Sequence, residues 1–200
     1  MPLAISQEQL GAPPSILRRK PWTRTDCEAL EKIGAFDGQR YELVEGELID
    51  KMGMNPPRAA YLMFVATWLI EQFGSTRVRP RLPIDVAPED NPASQPQPDL
   101  CVTAQPASHF RARLPGPSNI VLVVEIADST LAFDTTTKAG LYARAGIADY
   151  WVFDVAKRRI VVHRSPESGV YRSLTVYAAG EPVSPLAAPA AGVCWDDLDA

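Results

Sequence analysis

The segment Ile120–Ile126 is an almost unbroken run of β-branched and aliphatic residues, and it predicts a central strand covered on both faces. Asp134 then predicts the N-cap of a helix over Thr136–Ala145, and Gly146 follows as a C′ residue that ends it. The apolar segment Asp149–Val155 predicts the next strand. Because a strand, a helix and a strand joined by short loops form a βαβ unit, this part of the chain predicts one parallel strand pair.

Periodic patterns on either side of this unit predict the remaining elements. Apolar and polar residues alternate over Arg40–Met52 around Glu45-Gly46, which is typical of a β-hairpin. Pro56-Pro57 precede a largely apolar segment that ends at Phe73, just before Gly74, and this segment predicts a core helix packed on the sheet. The other predicted elements are a helix through Leu30–Ile33 and strands at about 76–86, 98–103, 160–163 and 171–177.

These elements fit one domain with a mixed central sheet and a helix on each face, an α/β or α+β architecture. A chain of 200 residues is long enough for one substantial core, which we expect over residues 21–200. Residues 1–20, with Pro13-Pro14 and Arg18-Arg19-Lys20, are predicted to form a flexible arm. After Gly180, three prolines and many alanines predict only shallow order.

Composition excludes some classes of protein. Hydrophobic residues make up 46% of the chain, but no apolar run reaches the roughly 18 residues that a membrane span needs. The N-terminus lacks a basic region followed by an apolar core, so we expect no secretory signal and a cytoplasmic location. Cys27, Cys101 and Cys194 are odd in number and far apart, which favours reduced thiols over a disulfide framework or a zinc site.

The net charge of −4 gives no overall electrostatic footprint for nucleic acid. Arg77, Arg79 and Arg81 offer a local one, because their alternation predicts three guanidinium groups on one face of a strand. These arginines are candidate nucleic-acid contacts. An ordinary solvated strand face is the alternative, and it is the more common origin of such a pattern.

Two acids and a lysine are the candidate catalytic residues. Glu125 lies inside the predicted central strand, where a carboxylate is costly to desolvate unless it reaches a metal, a cation or water. Asp99 follows Pro98 at the start of a short apolar strand. Lys138 falls one helical turn after Asp134, and helix side chains lean toward the N-terminus, so its ammonium is expected near the strand end that bears Glu125. We therefore expect Lys138→Ala to impair chemistry while folding scarcely changes.

The order Pro98-Asp99, Glu125, Lys138 resembles the active site of the PD-(D/E)XK nuclease superfamily, in which two acids hold a divalent metal and a lysine assists. In the usual form the lysine lies two residues after the second acid, a place that Ala127 occupies here. A lysine on the following helix is similar to one branch, the Uma-two family of restriction endonucleases. Four stretches resemble further hallmarks of that family, in the family's order: YELVEGEL (Tyr41–Leu48), KMGMN (Lys51–Asn55), IDVAPEDNPASQPQPD (Ile84–Asp99) and KAGLYARAGIADYWVFD (Lys138–Asp154).

The resemblance implies a restriction-endonuclease-like fold and an endonuclease that hydrolyses phosphodiester bonds of DNA with Mg²⁺ or Mn²⁺. Asp99 and Glu125 are then the expected metal ligands, and Lys138 is expected to orient or deprotonate a water or to neutralise developing charge. Glu47, in the GEL motif, is a candidate additional acid, and an exposed hairpin carboxylate is the alternative. Arg58 occupies a position where many relatives have histidine, so no role is carried over to it.

Other functions stay open from the sequence. A catalytically silent nucleic-acid-binding or protein-interaction module on the same fold agrees with the missing strand lysine and the acidic net charge. A homodimer, or a structural partner within a larger complex, is the third hypothesis, and it rests on Tyr150, Trp151 and Phe153 near one edge.

Overall fold

The computed structural model describes residues 20–51, 53 and 55–198, so residues 1–19 of the predicted arm lie outside the described residues. Two sheets are present in this part of the chain. Their strands are β1 (Tyr41–Val44), β2 (Glu47–Asp50), β3 (Val78–Pro80), β4 (Leu100–Thr103), β5 (Ile120–Ala127), β6 (Asp149–Asp154), β7 (Arg159–Glu167) and β8 (Val170–Tyr177).

The larger sheet is mixed, as predicted. The strands β1 and β2 pair as the expected hairpin, and the other six form one sheet in the order β3-β4-β5-β6-β7-β8. β5 and β6 are parallel, whereas every other neighbouring pair in this sheet is antiparallel. The βαβ pattern around the central strand therefore predicted its parallel partner correctly.

Helices flank the sheet. Helix α1 is Arg24–Lys32, and α2 is Pro56–Phe73. A composite helix, here called α3, joins α-helical Leu131–Phe133, π-helical Asp134–Lys138 and α-helical Ala139–Arg144. No helix among the described residues has the length and apolar character needed to cross a membrane. Short 3₁₀ segments occupy Asn91–Ala93, Ala107–Phe110, Pro117–Asn119, Val155–Lys157 and Trp195–Leu198.

Both faces of the sheet are covered because alternate side chains of β5 enter two different cores. Leu122 and Val124 pack with residues of α2. Val123 and Ala127 pack with residues of α3 and of β1. By the same alternation, Glu125 points toward the side of the sheet that α3 and the hairpin cover.

Helix α3 begins earlier than the sequence predicted. The helix starts at Leu131, so Asp134 lies inside it and is not its N-cap. The hydroxyls of Thr135 and Thr136 donate to backbone carbonyls four residues earlier. Such side-chain bonds compete with the amides of a regular helix, and here they accompany the wider π turn over Asp134–Lys138.

Helix α2 ends at Phe73 as predicted, begins with Pro56 and Pro57 in its first turn, and packs on the sheet through one stripe only. Val65, Leu69 and Phe73 are its buried residues. Met63 and Ile70 are 66% and 41% exposed, so the outer side of the helix is not part of the core. Apolar composition predicted the helix but did not reveal how many of its sides are covered.

The described part of the tail, residues 181–198, is ordered, which contradicts the shallow order predicted for it. Val183 and Val193 form an antiparallel backbone bridge. Trp195 is fully buried, and its ring lies 5.9 Å from that of Phe153 on β6. The prolines and alanines dominate the composition of the tail, but one large aromatic ring buries enough apolar surface to fix it on the sheet.

The aromatic residues that motivated the homodimer hypothesis are not at the surface. Tyr150, Trp151 and Phe153 are all fully buried. They belong to β6, which lies inside the sheet between β5 and β7 and not at an edge. The predicted contact surface was therefore wrong, because neighbours on both sides cover this strand.

Candidate active site

A cleft of about 330 Å³ is lined by residues of the hairpin, of the first turn of α2 and of α3, at the carboxyl end of β5. The carboxyl ends of parallel strands are a common place for ligand sites. Glu125 and Lys138 line the cleft, whereas Asp99 does not belong to its lining. The charged residues of the lining are Glu42, Asp50, Lys51, Arg58, Glu125, Asp128, Asp134 and Lys138.

Lys138 is the more deeply buried of two lysines that contact Glu42, the other being Lys51. The Lys138 side chain is 1% exposed, and its Nζ lies 2.9 Å from Oε1 of Glu125 and 2.8 Å from Oε1 of Glu42. Oδ1 of Asp134, one turn earlier on α3, is 3.8 Å away. The helix therefore carries the ammonium to the end of β5, and the structure brings the predicted lysine and the second predicted acid into contact.

Asp99 and Glu125 lie next to each other on neighbouring strands. The register of β4 and β5 pairs Leu100 with Val124, which sets residue 99 opposite residue 125. The backbone N–H of Asp99 donates to Oε2 of Glu125 at 3.3 Å. In return, the N–H of Ile126 donates to Oδ2 of Asp99 at 2.9 Å. Each carboxylate is thus fixed by the backbone of the other strand.

Arg58 contacts Asp99 from the first turn of α2. Its Nη2 lies 2.9 Å from Oδ2 and 3.2 Å from Oδ1 of Asp99. Nε of Arg81 is 3.8 Å from Oδ1, beyond hydrogen-bonding distance. Asp99 is completely buried, whereas the Arg58 side chain is 16% exposed and lines the cleft. The guanidinium therefore stands between this acid and the cleft.

Glu42 on β1 is a site residue that sequence reasoning missed. Its carboxylate is 2% exposed. Besides its contact with Lys138, it accepts a 2.9 Å hydrogen bond from the backbone N–H of Gln97, two residues before Asp99. The signal was present, because Glu42 interrupts the apolar strand segment YELV as Glu125 interrupts β5.

Glu47, the candidate additional acid, lies elsewhere on the hairpin. It pairs with Val44 across the turn, is exposed and does not line this cleft. Glu47 is therefore an exposed hairpin carboxylate, which is the alternative that the sequence left open. The acid that YELVEGEL contributes to the cluster is thus the first of its three glutamates.

Arg77, Arg79 and Arg81 do not share one exposed strand face. The strand β3 is short, because Pro80 has no N–H for the ladder and Arg81 adopts a left-handed φ of 52°. Arg79 is 8% exposed. Arg77 donates from Nε to a backbone carbonyl of β4, and Arg81 turns toward Asp99. The prediction that the three guanidinium groups share one face of a strand was therefore wrong. A nucleic-acid contact by Arg77 or Arg81 stays a prediction.

Charge and burial act in opposite directions on the ionisable groups of the cluster. Burial raises the pKa of Glu125 to about 7, although Lys138 and Lys51 oppose the shift. Burial also works against the charge of Lys138, but Glu125, Glu42 and Asp134 outweigh it and raise the pKa of the ammonium above its usual value. The lysine is therefore protonated at any physiological pH.

Oxygen donors at the strand end suit Mg²⁺ or Mn²⁺ chemically. Asp99 and Glu125 offer two carboxylates, which can be sufficient because Mg²⁺ keeps several of its waters. In the part of the chain that the structure describes, no three His, Cys, Asp or Glu side chains are grouped as ligands of one ion. Both carboxylates already have partners in the structure. Arg58 and the N–H of Ile126 contact the oxygens of Asp99. Lys138 and the N–H of Asp99 contact those of Glu125.

Comparisons with known proteins agree with this architecture. The family model Uma2, described as "Putative restriction endonuclease", matches residues 26–195. The structure is similar to the crystal structure of a protein described as "a putative nuclease belonging to DUF820" from Anabaena variabilis ATCC 29413, with a TM-score of 0.61 and 16% sequence identity. The similarity covers 79% of this chain and 88% of that one, and at this identity it establishes the shared fold. No match was found among curated proteins.

Proposed function

Because this chain belongs to the Uma2 family, we propose that it is a nuclease that hydrolyses phosphodiester bonds of DNA with Mg²⁺ or Mn²⁺. The observation that carries the proposal is the Lys138 ammonium, buried within 2.9 Å of Glu125 beside a cleft. Acids and a cation arranged at a strand end are the groups that phosphoryl transfer needs.

The residues of the cluster have distinct proposed roles. In hydrolysis a water oxygen bonds to phosphorus while the P–O bond to the leaving group breaks, and negative charge builds on the phosphoryl oxygens. Lys138 offsets that charge, because an ammonium that stays protonated is a poor base. Glu42, like Glu125, contacts the ammonium and holds it in position.

Asp99 and Glu125 are the residues that would hold the divalent ion. When bound, the ion supplies Lewis-acid stabilisation of the phosphoryl oxygens. The chain itself keeps the two carboxylates in register through the Asp99 N–H and the Ile126 N–H. Lys138 remains available beside them, because it contacts Oε1 of Glu125 and leaves Oε2 to face Asp99.

A silent binding module on the same fold is the second candidate function. The observation that favours it is the pairing of Asp99 with Arg58, which neutralises one of the two proposed ligands. Such a module would bind DNA in a salt-dependent manner and leave it intact.

The experiment that tests the proposal measures cleavage of supercoiled plasmid, linear duplex and single-stranded DNA, with RNA as a further substrate. Purified full-length chain is incubated with Mg²⁺, with Mn²⁺ or with EDTA. Cleavage that requires both a divalent ion and Glu125, tested with Glu125→Gln, supports the nuclease. Salt-dependent DNA binding without cleavage supports the silent module, and the absence of both overturns the two functions together.

The hairpin offers a matched pair of variants for the role of Glu42. Glu42→Gln should lower the single-turnover cleavage rate by about 10²-fold, because the ammonium loses one of the groups that position it. Glu47→Gln removes the same charge from the same hairpin outside the cleft, and it should change the rate by less than about twofold. Equal cleavage rates for Glu42→Gln and Glu47→Gln would show that Glu42 has no role in catalysis.

A further inference from the structure

Arg58 controls access to one of the two proposed metal ligands. Its side chain lines the cleft, and the completely buried carboxylate of Asp99 lies on the other side of the guanidinium. An ion that enters the cleft finds Glu125 in its lining, where the side chain is 1% exposed and Oε1 contacts Lys138. It reaches Asp99 only after the guanidinium has moved.

The contact between Arg58 and Asp99 is not the strongest that these groups can make. A single nitrogen, Nη2, contacts both carboxylate oxygens, whereas an ideal pair uses two parallel N–H bonds from the guanidinium fork. The Nε of Arg58 is buried and has no hydrogen-bond partner. The guanidinium therefore neutralises the acid without being fully satisfied itself.

The position of Arg58 on its helix also indicates that Asp99 is what holds the guanidinium. It is the third residue of α2, whose N-cap Asn55 accepts the Arg58 backbone N–H. The positive end of a helix dipole disfavours a cation in the first turn. Attraction to Asp99 opposes this unfavourable interaction with the helix dipole. The side chain is therefore held by this acid and not by its helix.

We infer that Arg58 is a built-in competitor of the metal: it neutralises Asp99 in the metal-free chain and must leave before Asp99 and Glu125 can share a divalent ion. The inference rests on the proposed function, because it assumes that these two carboxylates are the ligands. Arg58 thereby sets the concentration of ion at which the site fills, and the guanidinium and the ion exclude each other.

Direct Mn²⁺ binding, followed by electron paramagnetic resonance of the free ion, tests the inference without any activity assay. Arg58→Gln should bind Mn²⁺ more tightly than the unmodified chain, by a factor on the order of 10 to 100, because a cation in contact with a ligand has gone. The matched control is Arg81→Gln, which removes an arginine 3.8 Å from the same carboxylate that forms no hydrogen bond with it. The Mn²⁺ affinity of Arg81→Gln should rise by less than that of Arg58→Gln, because the Arg81 guanidinium is farther from the carboxylate and donates no hydrogen bond to it.

The outcomes separate the inference from the proposed function. Mn²⁺ binding that is tighter in Arg58→Gln than in the unmodified chain, and that is lost in the double variant Arg58→Gln/Glu125→Gln, supports both the inference and the proposed metal site. If the unmodified chain and Arg58→Gln bind Mn²⁺ with equal affinity, and Glu125→Gln does not bind it, Arg58 does not compete with the ion. The proposed metal site would then stand without the inference. No binding in any variant overturns the proposed metal site together with the inference.

A second measurement on the unmodified chain covers the case in which Arg58→Gln does not fold. Phenylglyoxal modifies accessible guanidinium groups, and mass spectrometry locates the modified residue. Addition of Mn²⁺ should increase modification of Arg58 several-fold, while Arg144, paired with Glu45 and Asp90, serves as the internal reference. Unchanged modification of Arg58 at saturating Mn²⁺ would show that the ion does not displace it.

Discussion

Lys138 shows how burial changes the consequence of replacing one residue. Three buried acids face its ammonium, and none of Glu42, Glu125 and Asp134 is more than 4% exposed. Lys138→Met should therefore lower the free energy of unfolding at pH 7 by about 3–5 kcal/mol, because the charges lose the cation that compensates them. This corrects the expectation that folding scarcely changes, which treated the lysine as exposed. Chemical denaturation measures the loss, and the exposed Lys32→Met should differ from the unmodified chain by no more than about 0.5 kcal/mol.

Glu125 makes stability depend on pH in a direction that can be stated in advance. Burial raises its pKa from 4.5 to about 7, so between these pH values the folded state keeps a proton that the unfolded chain has lost. The stability of the unmodified chain relative to Glu125→Gln should therefore fall as pH rises from 4 to 8, by at most about 3 kcal/mol. Guanidinium chloride titrations in EDTA measure this difference. A difference that stays constant or grows with pH would mean that Lys138 keeps the carboxylate ionised.

Residues that are unusual in their local sequence could be predicted, and residues that matter only through a distant partner could not. Glu125 was found because a carboxylate within an apolar strand needs a partner. Glu42 carries the same local signal within β1, although sequence reasoning missed it. Arg58 carries no such signal, because it meets Asp99 only after α2 has packed on the sheet. That packing depends on how the elements dock, which no local pattern reports.

At the level of elements, α2 provides a test of the single buried stripe. Leu69 is completely buried and its neighbour Ile70 is 41% exposed, although the sequence pattern treats them alike. Leu69→Ala should lower the free energy of unfolding by about 2–5 kcal/mol, because it leaves a cavity against the sheet. Ile70→Ala should lower it by less than about 1 kcal/mol. Equal losses measured by denaturation would mean that both sides of the helix are covered.

Patterns predicted the elements better than their ends. The hairpin, α2 and the parallel pair β5–β6 follow from periodicity and from Gly and Pro at their borders. The start of α3 does not, because the helix begins at Leu131, before the expected cap Asp134, and the hydroxyls of Thr135 and Thr136 bond to carbonyls in this additional turn. In β3, Pro80 and the left-handed Arg81 stop a strand that alternation alone would have continued.

On the scale of the whole molecule, Trp195 should be the side chain through which the tail stabilises the fold most, although Val183, Val193 and Leu198 are buried in the same core. Trp195→Ala should lower the free energy of unfolding by about 3–5 kcal/mol, because the ring is fully buried beside Phe153. Trp22 is 41% exposed and supplies the control, since Trp22→Ala should cost less than half as much. Thermal and chemical unfolding both measure the difference. Similar melting temperatures for Trp195→Ala and the unmodified chain would show that the tail only lies on the core.

The position of Trp195 also has a consequence for the chain while it is still being made. Glu42, Asp99, Glu125 and Lys138 have all been synthesised long before Trp195 leaves the ribosome, because translation runs from the N-terminus. Until then, the face of the sheet that Trp195 covers stays open to water, and exposed apolar surface is what chaperones and proteases act on. A chain released early therefore carries every residue of the candidate site on an unfinished core. Interrupted synthesis should yield fragments that are degraded, and not a free nuclease.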